Sequence, residues 1–150
     1  MLARTMAEDY PTFGLDDEAL LAARELARRR LPGVVVVDGS GRPVAVLPAS
    51  QVLRFLVPHY VQEDPSLAGV FDEGTADRCA AKLGGQSVRH LLPPPDKRTE
   101  LARVDGDATV IECAAVMARL RSPLLVVADG DVVHGVLTAS HLLEILLPGE

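Results

Sequence analysis

The sequence predicts an α/β (α+β) fold made of two tandem copies of one helix–strand–strand–helix unit, with small sheets packed against helices. The main evidence is an internal repeat in which identical residues recur 91 positions apart: Pro32 and Pro123, Val35 and Val126, Val36 and Val127, Asp38 and Asp129, and Gly39 and Gly130. One residue is then missing from a turn of the second copy, and residues 46–50 align with 136–140 at an offset of 90. Because a unit of this size cannot bury a sheet face alone, the two copies should pack together, share a core and leave a cleft for a ligand.

The composition is typical of one compact module with an aliphatic core. The chain has 150 residues, of which 48% are hydrophobic, whereas Trp is absent and aromatic residues make up only 3%. Scarce aromatic residues and a formal net charge of −6 argue against a nucleic-acid partner, which requires stacking platforms or a cationic surface. No apolar run approaches the ~18 residues of a membrane span, and no signal-peptide pattern is present. The sequence therefore predicts a cytoplasmic protein without membrane insertion.

The first copy begins with an amphipathic helix at residues 18–30. Small and aliphatic side chains recur at helical spacing on one face of it: Ala19, Ala22, Ala23, Leu26 and Ala27. A continuous apolar run at residues 34–37 predicts a strand buried on both faces, and residues 38–41 predict a hairpin turn. The return strand at residues 43–47 leads into a second helix at residues 50–57.

The second copy follows the same plan. Thr109 and Glu112 have the spacing of a capping box for a helix that runs to Arg121. Cys113 replaces an inner-face alanine of the first copy, which predicts a small buried hydrophobe and not a reactive thiol. The remaining elements are predicted as strands at residues 124–127 and 132–137 and a helix at residues 140–147.

Three segments have no partner in the repeat. Residues 1–15 predict a lead-in, residues 67–83 show mixed helical patterning broken by Gly74, and residues 99–104 predict an edge strand. We expect a helix in the linker to cross from one unit to the other. The chain is thus divided into a first unit at residues 1–58, a linker at 59–98, and a second unit at 99–150 with its lead-in from about residue 88.

The order of these segments resembles a tandem pair of cystathionine-β-synthase-type (CBS) domains. The second copy carries the resemblance best, at residues 107–114, 125–130 and 135–143. The resemblance implies a β-α-β-β-α unit in duplicate with pseudo-twofold symmetry, and a disc-like homodimer of two such pairs. It also implies a sensor, not a catalyst, that regulates an enzyme or transporter. The candidate ligands are AMP, ADP, ATP or S-adenosylmethionine, bound in the clefts between domains.

The chain departs from the family's ligand motif, Gly-h-h-Thr/Ser-x-x-Asp, in which h is an apolar residue. In ligand-binding members the Asp accepts both ribose hydroxyls, and the Thr or Ser helps to hold phosphate. The second copy keeps Gly135 and Thr138 but has His141 in place of the Asp, and the first copy has Ala45, Pro48 and Gln51. Loss of the carboxylate removes on the order of 2–3 kcal/mol of binding free energy, which corresponds to about 30–150-fold weaker affinity for the ligand. The sequence therefore favours adenosine binding only at the second copy's motif.

The candidate ligand contacts are Thr138, His141 and Gln51, together with the loop residues Arg121, Ser122, Pro123 and Leu124, which would border a base pocket in this fold. Each has a plain alternative. Thr138 suits a strand end, Arg121 suits a helix C-terminus, Gln51 suits a helix start, and His141, one residue past the predicted N-cap Ser140, suits a merely exposed position. The four histidines lack metal-ligand spacing and no serine lies in a G-x-S-x-G motif, so we expect neither a metal site nor catalysis.

Two functions remain open at this stage. The first is a regulatory module that binds an adenosine-type nucleotide and signals to a partner protein. The alternative is a ligand-free dimerisation or docking module with degenerate pockets. It predicts that apolar residues of the second helix of each unit are buried between chains: Leu53, Phe55, Leu56, Leu142, Leu143, Ile145 and Leu146.

Overall fold

The computed structural model describes residues 1–149, which form eight α-helices and six strands. The helices are α1 (Ala3–Met6), α2 (Ala19–Arg28), α3 (Ala49–Leu56), α4 (His59–Glu63), α5 (Glu73–Ala81), α6 (Val88–Leu91), α7 (Val110–Leu120) and α8 (Ala139–Leu146). The strands are β1 (Thr12–Gly14), β2 (Gly33–Val37), β3 (Pro43–Pro48), β4 (Arg103–Val104), β5 (Leu124–Asp129) and β6 (Val132–Thr138). Short 3-10 helices lie at Pro65–Val70 and Pro95–Lys97.

The strands form two three-stranded sheets of identical topology, β1-β2-β3 and β4-β5-β6. In each sheet the first strand is parallel to the central strand and the third strand is antiparallel to it. Val35 pairs with Val46, and its repeat partner Val126 pairs with Val136, so the register is also repeated. The predicted duplicate β-α-β-β-α fold is confirmed, as are the central strands, return strands and flanking helices to within two residues.

The central strands are buried on both faces because each sheet lies between its own helices and the other sheet. Helices α2 and α3 cover a core around Val34, Val36 and Leu47, and helices α7 and α8 cover one around Leu125 and Leu137. A third cluster joins the two sheets and contains Val35, Leu124, Val126, Ala128 and Val136. Burial of each such aliphatic side chain contributes roughly 1.5–3 kcal/mol, so the shared core holds the units together.

The second unit contains a buried cysteine and two helix starts for which the sequence makes specific predictions. Cys113 is fully buried, and burial raises the pKa of its thiol, as expected for a small core residue. The predicted N-cap Ser140 is wrong: Thr138 has the extended backbone of an N-cap, and its Oγ1 accepts a hydrogen bond from the His141 N–H at 3.1 Å. Ser140 already lies within α8. At α7, Thr109 Oγ1 accepts from the Glu112 N–H at 3.2 Å, which is one half of the predicted capping box.

The lead-in of each unit packs on the other unit. In α1, Ala3 donates its backbone N–H to the Ala108 carbonyl at 2.9 Å. In α6, Val88 donates in the same way to the Asp17 carbonyl at 2.9 Å. Helix α6 therefore stays with the first unit, as do α4 and α5 through the bonds of Gln62 and Lys82 to the carbonyls of α3. The segment at residues 92–102, which contains only the short 3-10 helix Pro95–Lys97, makes the crossing. The prediction of a crossing helix is wrong because Val88 and Leu91 bury their side chains in the first unit's core.

None of the helices within residues 1–149 has the length and apolar composition that a bilayer span requires.

Candidate functional site

A cavity of about 410 Å³ lies between the two units. The first unit contributes the end of β3 and the start of α3, and the second unit contributes the loop between α7 and β5. The crossing segment, residues 92–102, closes the remaining side. Both units line the cavity because the pseudo-twofold relation places the motif of one unit opposite the helix-to-strand loop of the other.

The first unit's motif positions line this cavity through Ala45, Pro48 and Gln51. The Gln51 side chain is half-buried, and its Nε2 donates a hydrogen bond to the Leu91 carbonyl at 3.1 Å. Because the amide nitrogen must be the donor in this contact, the orientation of the amide is fixed. Its oxygen is then the group that can accept a hydrogen bond from a ligand hydroxyl.

The second unit's loop presents Arg121, Ser122 and Pro123 to the same cavity. Arg121 is exposed and has a left-handed backbone conformation with φ of 51°, which costs a non-glycine residue about 1 kcal/mol. The Ser122 hydroxyl donates to the Leu124 carbonyl at 2.6 Å, which fixes the loop. The side chain of Leu124 is fully buried in the core between the sheets, so it does not line the cavity.

The second unit's motif lies in the cleft that is related to this one by pseudo-symmetry, and there the chain itself occupies the space. Glu8 forms two backbone hydrogen bonds of 2.9 Å with Val136 and extends the edge of β6. Its carboxylate also contacts His141, with 3.2 Å between Oε1 and Nδ1. The Thr138 hydroxyl is engaged in capping α8. Thr138 and His141 are therefore held by contacts within the protein.

Two further features belong to this closed cleft. Gly135 has φ of 144°, and a Cβ at this position would lie 2.5 Å from the Glu8 carbonyl oxygen, so only glycine allows the lead-in to approach. The Tyr10 hydroxyl donates to the Gly33 carbonyl at 2.7 Å, and burial raises the pKa of the phenol. A smaller cavity of about 270 Å³ reaches Tyr10 and Gly135 but is lined by neither Thr138 nor His141.

The structure thus separates residues that the sequence analysis grouped into one site. The loop residues Arg121, Ser122 and Pro123 face Gln51, and they do not face Thr138 or His141. The reason is the pseudo-twofold relation, which opposes a loop and a motif from different units. The ligand-binding role of each of these residues stays a prediction.

Sequence reasoning missed the residues that make the two clefts different. In the closed cleft these are Glu8 and Tyr10, and in the open cleft they are Arg54, Lys97 and Arg98 of the cavity wall. The sequence does signal this difference, in the lengths of the two segments that connect each lead-in helix to the following strand. Five residues, 7–11, connect α1 to β1, whereas eleven residues, 92–102, connect α6 to β4 and include three successive prolines.

Comparison with known proteins agrees with the architecture. The model of the CBS domain matches residues 2–58 and 97–148. A CBS domain-containing protein of unknown function from Kribbella flavida DSM 17836 is 55% identical in sequence, with a TM-score of 0.84 over 97% of this chain and 98% of that one. No curated protein matches the chain.

More distant structures share the fold. The CBS domain of a membrane protein from Sphaerobacter thermophilus is 19% identical, with a TM-score of 0.71 over 98% of this chain and 88% of that one. CBSX2, solved in complex with AMP, is 14% identical, with a TM-score of 0.64 over 96% of this chain and 94% of that one.

Proposed function

The chain belongs to the CBS domain family, and from that premise we propose that it is a non-catalytic regulatory module. It binds an adenosine-type nucleotide in the open cleft between its units and signals to a partner protein. One observation carries the proposal: the 410 Å³ cavity joins the motif of the first unit to the loop of the second. A ligand held by both units stabilises one relative arrangement of them, and this differential affinity is what a sensor requires.

The chemistry of the cavity suits a nucleoside monophosphate unit. Ala45, Val46 and Leu101 offer an apolar wall for a base, and the loop backbone at residues 121–123 offers hydrogen-bonding groups for its edge. The fixed Gln51 amide oxygen accepts one ribose hydroxyl, which is a weaker anchor than the carboxylate of the family motif. The exposed Arg121 side chain borders the base pocket, and the exposed Arg54 guanidinium of the same cavity wall supplies a positive charge for the phosphate.

A thermal-shift panel of AMP, ADP, ATP, NAD and S-adenosylmethionine tests the proposal. A ligand at 100 times its Kd stabilises the folded state by about 2.7 kcal/mol, which raises the Tm of a chain of this size by roughly 5–10 °C. The variant Gln51→Ala should lose about half of this shift, because a roughly tenfold weaker Kd leaves about 1.4 kcal/mol of stabilisation at the same ligand concentration. The matched variant Thr138→Ala loses the α8 cap and about 1 kcal/mol of stability but should keep the full shift. No stabilisation by any of the five compounds would refute nucleotide binding.

A second candidate function, a ligand-free dimerisation or docking module, rests on exposed leucines of α3 and α8. The side chains of Leu53 and Leu143 are 61% and 53% exposed, and Leu146 is 39% exposed. Leu142, in contrast, is buried in its own unit's core and is not available to a partner. We propose that a second copy of the chain covers these leucines in a homodimer, whether or not a nucleotide binds.

Sedimentation of the wild type and of Leu53→Glu/Leu143→Glu tests the homodimer. We expect a dimer at micromolar concentration that the charged variant converts to a monomer, because a carboxylate cannot be buried unpaired in an apolar interface. A monomeric wild type would refute it. A cytoplasmic location and the regulation of a partner enzyme or transporter are further parts of the proposal.

A further inference from the structure

The open cleft continues into a second cavity, which the family motif reaches only through Gln51. This second cavity has a volume of about 690 Å³ and lies against the linker helix α4. Four residues line both cavities and therefore mark the passage between them: Gln51, Arg54, Pro93 and Lys97. The model of the CBS domain leaves residues 59–96 unmatched, so most of the linker side of this cavity lies outside the matched segments.

The lining of the second cavity is cationic. The chain contains two lysines, Lys82 and Lys97, and both line this cavity together with Arg54. No Asp or Glu is among its lining residues, and the one histidine there, His59, pairs with Glu63 at 3.1 Å. Within residues 1–149, none of the ion pairs uses the two lysines or Arg54. This positive charge is concentrated at one place on a protein of net charge −6.

The local structure holds the cations in place. Lys82 follows α5, and its Nζ donates to the Leu56 carbonyl at the end of α3 at 3.0 Å. Lys97 ends the 3-10 helix Pro95–Lys97, and the next residue, Arg98, donates its Nε to the Pro93 carbonyl at 2.9 Å. The three prolines and this hydrogen bond stiffen the long crossing segment that carries Lys97 to the passage between the cavities.

We propose that the second cavity binds the phosphate chain of the nucleotide, so that the ligand is a nucleoside triphosphate in preference to a monophosphate. This inference rests on the proposed nucleotide site, because the base and ribose lie in the first cavity. The phosphate chain of the nucleotide then leaves the ribose at Gln51, passes Arg54 and Lys97, and ends at Lys82. Lysine ammonium groups act as point charges toward phosphate oxygens, and cations that form no ion pair within the protein suit several successive phosphates.

Calorimetric titration with AMP, ATP and inorganic tripolyphosphate tests the inference. The wild type should bind ATP at least about tenfold more tightly than AMP. The variant Lys82→Gln/Lys97→Gln should remove that difference, because it weakens the binding of ATP by a much larger factor than the binding of AMP. The matched control Arg24→Gln/Arg28→Gln removes the same charge from α2, which lines neither cavity, and should keep the preference for ATP.

Lys82 also donates a hydrogen bond to the Leu56 carbonyl, so the double variant can fail to fold. In that case the single variant Lys97→Gln replaces it, and we expect its ATP binding to be at least about threefold weaker than that of the wild type. Equal affinity of the wild type for AMP and ATP would overturn the inference and leave the proposed function standing. Tripolyphosphate binding that depends on both lysines, without AMP binding, would support the phosphate subsite and refute the adenosine site. Binding of none of the three compounds would refute both.

Discussion

The two clefts of the molecule have the same origin in the repeat but differ in what lies against the return strand. Beside β6, the lead-in of the first unit adds two backbone hydrogen bonds through Glu8 and fills the groove. Beside β3, the corresponding connection is longer and proline-rich, and a cavity of about 410 Å³ remains. A connection that pairs with the return strand closes a cleft, and a longer one that does not pair with it leaves the cleft open. The unit with the better family motif is thus the one whose motif is covered.

The largest expected effect comes from Gly135→Ala in the closed cleft. The added Cβ would lie 2.5 Å from the Glu8 carbonyl oxygen, and φ of 144° is strained for alanine. We expect a loss of about 2–4 kcal/mol in the free energy of unfolding, measured by urea denaturation. The reverse change at the repeat position, Ala45→Gly, should cost no more than about 1 kcal/mol, because no lead-in strand approaches there. Equal costs at the two positions would contradict the difference between the clefts.

The variant Tyr10→Phe removes the hydroxyl that donates to the Gly33 carbonyl and leaves that buried oxygen without its partner. We expect the free energy of unfolding to fall by about 1–2 kcal/mol. The chain's other tyrosine provides the control: Tyr60 is exposed on α4, and Tyr60→Phe should change the stability by less than about 0.5 kcal/mol. If both variants were equally stable, the hydroxyl of Tyr10 would not help to close the cleft.

Arg30 and Arg121 allow a matched test of the open cleft. Arg30 follows α2 and Arg121 follows α7, and both have φ near 50°. Glycine at either position should therefore stabilise the fold by about 0.5–1 kcal/mol. Only Arg121 lines the open cavity. Arg121→Gly should therefore also weaken nucleotide binding by about threefold or more, whereas Arg30→Gly should leave it unchanged. Weaker binding in both variants, or in neither, would argue against the assignment of the loop.

The smallest effect concerns acid stability at two repeat-related carboxylates. The Ser40 hydroxyl holds the pKa of Asp38 below its usual value, and a hydrogen bond with His134 does the same for Asp129. A pKa that is lower in the folded state adds stability above the unfolded pKa of about 4, and this stability is lost as the pH falls through the folded value. Thermal melts between pH 5 and pH 2.5 should show a shallower acid-induced loss for Asp38→Asn and for Asp129→Asn. If the Tm of both variants fell with pH as steeply as that of the wild type, the lowered pKa values of Asp38 and Asp129 would be contradicted.

The sequence predicts the repeated part of the fold well because that part depends on local patterns. The apolar run of β2, the turn at Asp38 and the helical spacing of α7 each specify an element without help from distant residues. The swapped lead-ins were not predictable in this way. Glu8 pairs with Val136 only because the two units pack together and Gly135 leaves room, and both conditions are tertiary.

The candidate site was predictable only in part for the same reason. The positions Gln51, Arg121, Ser122 and Pro123 follow from the motif and the loop, but their meeting in one cavity depends on the pseudo-twofold relation between units. The cations of the linker show no pattern in the sequence beyond the extra length of the crossing segment. Lys82 reaches the cavity from a helix that has no counterpart in the repeat.

The stoichiometry of nucleotide binding tests the central claim most directly. Calorimetric titration of the wild type, Arg121→Ala and Thr138→Ala with ATP separates the open cleft from the closed one. The account predicts one nucleotide per chain, binding weakened by about threefold or more in Arg121→Ala, and wild-type binding in Thr138→Ala. Two nucleotides per chain, or binding that is lost in Thr138→Ala and kept in Arg121→Ala, would contradict it.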